Sequence, residues 1–122
     1  MTHEDYMERA LALAEECIAD GDVPVGCVIA GPDGRIFGEG RNRREADGRA
    51  TAHAEIEAID AACRTLGSWR LAGCTLYVTL EPCPMCAGAI INARIAEVRY
   101  GAREEKSGCC GSVLNLFEER FN

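Results

Sequence analysis

The pairing of His53-Ala54-Glu55 with Pro82-Cys83-Pro84-Met85-Cys86 constrains this chain more than any other feature. A zinc ion in a catalytic site takes three protein ligands from imidazole and thiolate and keeps its fourth position for water. His53, Cys83 and Cys86 supply that set. A Cys-x-x-Cys on the first turn of a helix puts both sulfurs on one face, where the helix N-terminus favours the thiolate form. Pro84 suits a helix start at that point. Two thiolates cancel the charge of the ion, so its water is a weaker acid than one held by three imidazoles, and a nearby base must take the proton. Glu55 follows the ligand His53 by two residues, too close to chelate the same ion comfortably but within reach of that water and of a substrate atom.

Each half of the pattern has other readings. A Cys-x-x-Cys in a reducing compartment also serves as a redox pair or as half of a structural zinc site. A closed four-ligand zinc knot would recruit Cys109 or Cys74 and leave Glu55 as a helix surface residue. Such knots usually join two arms of the Cys-x-x-Cys or His-x-x-x-His kind, and only one arm is present.

With 122 residues, the chain is expected to form one domain with a real core. No window approaches the ~20 apolar residues of a membrane span, and the acidic N-terminus MTHEDYMERA does not read as a secretory signal, so a soluble, cytoplasmic protein is expected. Of the eight cysteines, Cys17, Cys27, Cys63 and Cys74 lie within or beside apolar patterned segments and read as core residues. The net charge of −7 argues against broad sequence-independent nucleic-acid binding, which needs a basic footprint. Locally the balance differs: Arg41, Arg43, Arg44 and Arg49 crowd the stretch ahead of His53, interleaved with Glu45 and Asp47.

In chain order, Thr2 and Asp5 signal a helix start, and Met7, Leu11, Ala14 and Ile18 recur at helical spacing until Asp20-Gly21. Val23 to Ala30, the turn Gly31-Pro32-Asp33-Gly34 and Arg35 to Gly40 read as a β-hairpin. Arg41 to Ala50 has no periodicity and reads as a loop. Thr51 offers a cap for a helix whose stripe is Ile56, Ile59, Cys63 and Leu66, ended by Gly67. Leu76 to Leu80 is a strand aimed at Glu81-Pro82-Cys83, Met85 to Arg94 a helix, Glu97 to Gly101 a further strand. A loop over Ala102 to Ser112 and a short helix over Val113 to Arg120 complete the pattern. Two helix N-termini converge on the candidate metal, and one mixed sheet with helices on its faces is implied.

His-x-Glu followed by Pro-Cys-x-x-Cys is the signature of zinc nucleobase deaminases. Further stretches agree: Val23-Pro24-Val25-Gly26, Gly40-Arg41-Asn42-Arg43, Thr51-Ala52-His53-Ala54-Glu55, Leu76-Tyr77-Val78-Thr79-Leu80-Glu81-Pro82-Cys83, Met85-Cys86-Ala87-Gly88-Ala89-Ile90 and Tyr100-Gly101-Ala102-Arg103. Over nearly its whole length the chain resembles the bacterial tRNA-specific adenosine deaminases of TadA type, within the cytidine deaminase-like superfamily. The resemblance implies a three-layer α/β/α fold around one mixed sheet, residues 1–122 forming a single zinc-dependent deaminase domain. It implies hydrolytic conversion of adenosine to inosine at the wobble position of a tRNA anticodon loop. His53, Cys83 and Cys86 would bind Zn2+, Glu55 would shuttle the proton to N1 of adenine and help ammonia leave, and Asn42 would hydrogen-bond the flipped base. It also assigns Val25, Ala54, Arg103, Glu104 and Lys106 to substrate binding, and implies a homodimer whose partner chain contributes to RNA binding. The apolar helix Ala87 to Ile95 and the short helix Val113 to Phe117 are candidates for that dimer face.

The sequence departs from the pattern in three places. Arg49-Ala50 stands where an Asp-Pro often precedes Thr-Ala-His-Ala-Glu, which loosens the loop. Glu104 stands where Asp is usual, and one methylene there bears on ribose-versus-deoxyribose tolerance or on context preference. Family members usually continue past Asn122, so the expected fold lacks the usual last strand and C-terminal helix. Two competing readings remain: a deaminase of a free base or nucleoside, guanine or cytosine in type, and a zinc-stabilised binding module without catalysis. A free cytidine deaminase would more typically carry Cys-Ala-Glu in place of His53-Ala54-Glu55.

Overall fold

The structure, a computed structural model, describes residues 1–118. Helix α1 (His3–Glu16) is followed by a short 3-10 turn, Ile18–Asp20. Strands β1 (Gly26–Ala30) and β2 (Ile36–Arg41) form the expected hairpin, and the chain then passes through a one-turn helix α2 (Arg44–Asp47) into α3 (Ala54–Leu66). Strand β3 (Thr75–Leu80), helix α4 (Pro84–Asn92) and strand β4 (Glu97–Ala102) complete the regular part. The four-stranded sheet runs in the order β2-β1-β3-β4. β1 is antiparallel to both β2 and β3, whereas β3 and β4 are parallel, joined by the crossover helix α4.

Alternation along the central strands divides the core between the two faces. Cys27 and Ile29 of β1 and Leu76 and Val78 of β3 pack with α3 and α4, while Val28, Ala30 and Tyr77 meet Tyr6, Ala10 and Leu13 of α1. Ile29, Leu76 and Val78 are completely buried, each contributing about 1.5–3 kcal/mol of burial free energy. The result is α1 on one face of a mixed sheet and α3 with α4 on the other.

The approach of α3 to the sheet is set by glycine. A Cβ on Gly40 would stand 2.4 Å from the carbonyl oxygen of Ala54, and one on Gly38 would stand 2.4 Å from that of Ala58. The helix therefore lies directly on the β2 backbone, and the residues it buries are small: Ala54, Ala58 and Ala62, together with Ile59 and Glu55. This corrects the expected stripe, because Leu66 is 40% exposed and Ile56 and Cys63 are only partly buried. The same correction applies to α1. Leu11 and Ile18 are 51% and 66% exposed, and the buried face is Tyr6, Ala10, Leu13 and Ala14, with Cys17 just beyond.

The Thr2 and Asp5 signal forms a complete capping box at α1. Thr51 does not cap α3; its carbonyl accepts from the amide of His53, and His53 itself occupies the N-cap position. Val23 precedes β1 and is exposed, so the strand begins three residues later than the apolar run suggests. In place of the short helix over Val113 to Arg120 there is a 3-10 turn at Leu116–Glu118, and residues 119–120 of that expectation lie outside the described residues. Among the described residues, no helix is long and apolar enough to cross a membrane.

Candidate metal centre and cleft

Both helices on the α3 face begin at a ligand. His53 is the N-cap of α3 and Cys83 the N-cap of α4, each in extended conformation and each without a side-chain capping bond. An N-cap side chain ordinarily turns back to accept from the exposed amides of the first turn. Here Nδ1 of the imidazole faces the two sulfurs, and the first-turn amides of Met85 and Cys86 help hold the Cys83 sulfur as thiolate. Pro84 opens α4 at a position that needs no amide, and Cys86 lies one turn further along, fully buried.

The three ligand atoms lie within 4.8 Å of one another. Nδ1 of His53 is 3.6 Å from Sγ of Cys83 and 3.5 Å from Sγ of Cys86. A tetrahedral ion with Zn–S near 2.3 Å and Zn–N of 2.0–2.1 Å requires S···N separations of about 3.6 Å. The donor set and its spacing therefore fit zinc. Among the described residues no fourth His, Cys, Asp or Glu joins the group, which answers the closed-knot alternative through Cys74 or Cys109. Cys86 shares its proton with Cys83, so the Cys83 thiol is drawn well below its ordinary value and the Cys86 thiol is raised. A cation between them displaces that proton, since metal binding requires thiolates.

Glu55 sits on the first turn of α3, 4% exposed. Burial pushes its carboxyl up to about 7, with the neighbouring Cys83 adding to the rise and its own backbone amide opposing it. A carboxyl that exchanges its proton near neutrality, beside a metal triad, has the properties of a general acid and base.

His53 and Cys83 open onto a cleft of about 210 Å³, with Cys86 buried behind its wall. Of the residues expected to bind substrate, Val25, Asn42, Ala54 and Glu104 line this cleft together with His53, Glu55 and Cys83. Arg103 and Lys106 are exposed and are not part of its wall. The Arg103 guanidinium donates to Ser112 Oγ at 3.1 Å, and the Lys106 amide donates to Oε1 of Glu104 at 2.9 Å. Asn42 is buried, its Nδ2 donating to the Val23 carbonyl at 3.1 Å and its Oδ1 accepting from the Arg44 amide at 3.2 Å.

The arginine-rich stretch is largely neutralised within the chain. Arg41 pairs with Asp20 at 2.6 Å, Arg43 with Asp47 at 2.9 Å, and Arg49 with Glu57 at 2.9 Å. Arg44, which makes none of these pairs among the described residues, is the arginine on the cleft wall.

Two residues around the site have no role assigned from the sequence, although Glu81 stands in the matched stretch Leu76 to Cys83. Asp22 is buried and accepts from the amides of Glu45 at 2.6 Å and Ala46 at 3.2 Å, fastening the start of α2 from outside that helix. Glu81, 2% exposed, does the same for the opposite rim, accepting from the amides of Glu104, Cys110 and Ser112 and from the Ser112 hydroxyl. Burial alone would raise the Glu81 carboxyl, but those four donors outweigh it and hold it at about 2. A lone acidic residue at a strand end carries no periodicity, and its partners lie more than twenty positions away.

Comparison with known proteins agrees with this geometry. Residues 1–102 match the family profile described as the cytidine and deoxycytidylate deaminase zinc-binding region. A tRNA-specific adenosine deaminase of Bacillus subtilis (strain 168) is 49% identical over 124 residues, covering 100% of this chain and 76% of that protein. A structure from biochemical and structural studies of A-to-I editing by tRNA:A34 deaminases at the wobble position superimposes with a TM-score of 0.91 at 43% identity, covering 97% of this chain and 90% of that one. Guanine deaminase from Bacillus subtilis superimposes at 0.80 with 46% identity, over 84% of this chain and 66% of that one.

Proposed function

The chain belongs to the cytidine and deoxycytidylate deaminase zinc-binding family, and on that premise we propose that it hydrolyses adenosine to inosine at the wobble position of a tRNA anticodon loop. The observation that carries the chemistry is geometric: the buried carboxylate-bearing residue Glu55 lines one open cleft with His53 and Cys83, two members of the His53, Cys83 and Cys86 group. The substrate class is supported by the similarity, over the whole of this chain and 76% of the relative, to a tRNA-specific adenosine deaminase.

When bound, zinc supplies the Lewis-acid activation that makes water a competent nucleophile near neutral pH. Glu55 takes a proton from the attacking water as the bond to C6 forms, delivers it to N1, and carries a second proton to the amino group, which leaves as ammonia. The sum is adenosine and water giving inosine and ammonia. Val25 and Ala54 offer the base an apolar wall, and Asn42 a polar edge beside it. A base stacked in a duplex does not reach this cleft, so the substrate nucleotide is unpaired and splayed from its loop.

With Arg41, Arg43 and Arg49 already paired inside the chain, few cations are available for phosphates. RNA binding accordingly weakens with salt along a shallow slope. The same reading places the protein in the cytoplasm with its tRNA and makes it a homodimer, for which the exposed Val113 and Leu114 provide apolar surface.

The test compares an anticodon stem-loop carrying wobble adenosine with free adenosine, guanine and cytosine, following deaminated product by mass. Preference for the stem-loop supports the assignment. Preference for guanine would overturn the tRNA reading and leave the deaminase chemistry standing. Zinc in place with no turnover on any of them would favour a binding module.

A further inference from the structure

We infer that Glu81 is a positioning residue for substrate binding: its carboxylate, two residues before the ligand Cys83, fixes the loop over residues 104–112 as the wall of the cleft that carries Glu104 and Ser107. The inference rests on the deaminase reading of the same site and adds to it what holds the substrate-facing wall in place.

A carboxylate as deeply buried as Glu81 persists only where its oxygens are well supplied with donors. Here Oε1 accepts from the Glu104 amide at 3.1 Å and from the Ser112 hydroxyl, and Oε2 from the amides of Cys110 at 2.8 Å and Ser112 at 3.1 Å. Each oxygen thus serves two donors, and every donor belongs to one loop. Although Glu81 lines the cleft, its oxygens are already committed to that loop, which separates it from Glu55 in role.

The loop is shaped around this carboxylate. A Cβ on Gly108 would come 2.5 Å from Cδ of Glu81 and 2.4 Å from the Glu104 carbonyl oxygen, so the backbone lies flush against the acid only because position 108 is glycine. Main-chain bonds close the junction: Glu81 N donates to Ala102 O at 2.7 Å, and Cys109 N to Pro82 O at 2.8 Å. Arg103 reaches the same hub through Ser112 Oγ at 3.1 Å. The turn that presents Cys83 and the wall that carries Glu104 and Ser107 are therefore one hydrogen-bonded unit, with Glu81 at its centre. The carboxylate's own bonds all run to the 104–112 loop, so weakening them moves that wall first, while Cys83 remains anchored as the N-cap residue of α4.

The experiment uses zinc-loaded full chain carrying Glu81→Gln or Ser112→Ala. Glutamine keeps the shape but replaces one acceptor oxygen with an amide that repels one of the two donor pairs; Ser112→Ala removes only the hydroxyl. Three quantities are read: zinc per chain, hydrogen exchange at the amides of Glu104, Cys110 and Ser112, and kcat and KM separately. For Glu81→Gln we expect unchanged zinc, faster exchange at those amides, and KM raised about tenfold with kcat within about threefold, the pattern of lost binding that does not grow in the transition state. For Ser112→Ala the KM rise is about two- to threefold at constant kcat. Faster exchange with KM unchanged would overturn the inference, as would a fall in kcat that follows loss of zinc. Should Glu81→Gln fail to fold, Ser112→Ala decides: a KM rise at constant kcat supports the role, and no change overturns it. Kinetics are read on whichever of stem-loop, adenosine, guanine and cytosine the wild type deaminates, so a failure of the tRNA reading appears in the wild type and a failure of the clamp only in the variants. A wild type that deaminates none of them overturns the deaminase reading, and the clamp is then read from amide exchange: exchange at Glu104, Cys110 and Ser112 unchanged in Glu81→Gln overturns it.

Discussion

His53 and Cys83, 30 residues apart in sequence, occupy the same position on two different helices, each serving as N-cap with its side chain turned to the other across 3.6 Å. The His53 side chain makes no capping bond to α3, so that helix start gives up a bond that a Ser or Asp would supply, worth about 0.5–2 kcal/mol. Metal coordination would offset that loss. The purified protein is expected to carry about one zinc per chain. Cys83→Ser should remove the metal, because a hydroxyl is a poor zinc ligand at neutral pH, and should lower the melting temperature. Chelation should lower the wild-type melting temperature and leave that of Cys83→Ser nearly unmoved. Metal analysis with thermal unfolding checks both, and full zinc occupancy in Cys83→Ser would contradict the ligand assignment.

Glu55 gives a contrasting outcome from the same pocket. Glu55→Gln keeps volume and burial but cannot exchange a proton, so zinc content should stay at the wild-type level while turnover falls by about 10²–10⁴-fold. Because burial is the main cause that keeps the Glu55 carboxyl high, with Cys83 adding to it, the neutral amide relieves a desolvation cost, and stability should hold or rise. Metal analysis, kcat and thermal unfolding on one preparation distinguish this from a structural role. Turnover within a few-fold of wild type would assign the proton transfers to another group.

The metal triad and Glu55 were legible in the sequence because their signals are local. The spacing of His53 to Glu55 and of Cys83 to Cys86, with Pro84 at a helix start, needs no tertiary knowledge. The buried faces of α1 and α3 were not legible. Hydrophobicity favours Leu11, Ile18 and Leu66, but the sheet presents glycine backbone at Gly26, Gly38 and Gly40, and helices pressed that close bury alanines and leave the large residues outside. Asp22 and Glu81 were hidden for another reason. Their role depends on backbone amides brought from distant loops, and a backbone donor has no sequence identity to recognise.

The same close approach makes Gly40 sensitive. A methyl there would meet the Ala54 carbonyl at 2.4 Å and the Ala58 amide at 2.6 Å, both helix backbone with little room to yield. Gly40→Ala should therefore lift the start of α3 and cost about 1–3 kcal/mol. Since His53 is the N-cap residue of that helix, the lift should also weaken zinc retention against a chelator. An exposed control such as Gly67→Ala, whose cost comes from the left-handed backbone rather than from crowding, should lower stability without altering zinc retention. Chemical unfolding and competitive chelation on the pair of variants test this, and equal zinc retention in both would disconnect the helix position from the metal.

Asp22 offers a test of the opposite rim. Its two carboxylate oxygens hold the amides of Glu45 and Ala46, the unsatisfied donors at the start of the one-turn helix α2. So short a helix lacks the internal bonds to persist alone. The cap from outside therefore keeps Arg44 facing the cleft. Asp22→Ala should cost about 0.5–2 kcal/mol, within the range of N-cap deletions, and should accelerate amide exchange at Glu45 and Ala46. Asp22→Asn retains one acceptor oxygen and should fall between alanine and wild type. Zinc content should remain unchanged in both variants, because His53 and Cys83 are held by α3 and α4. Exchange at Glu45 and Ala46 that matches wild type in Asp22→Ala would show that α2 stands without this cap.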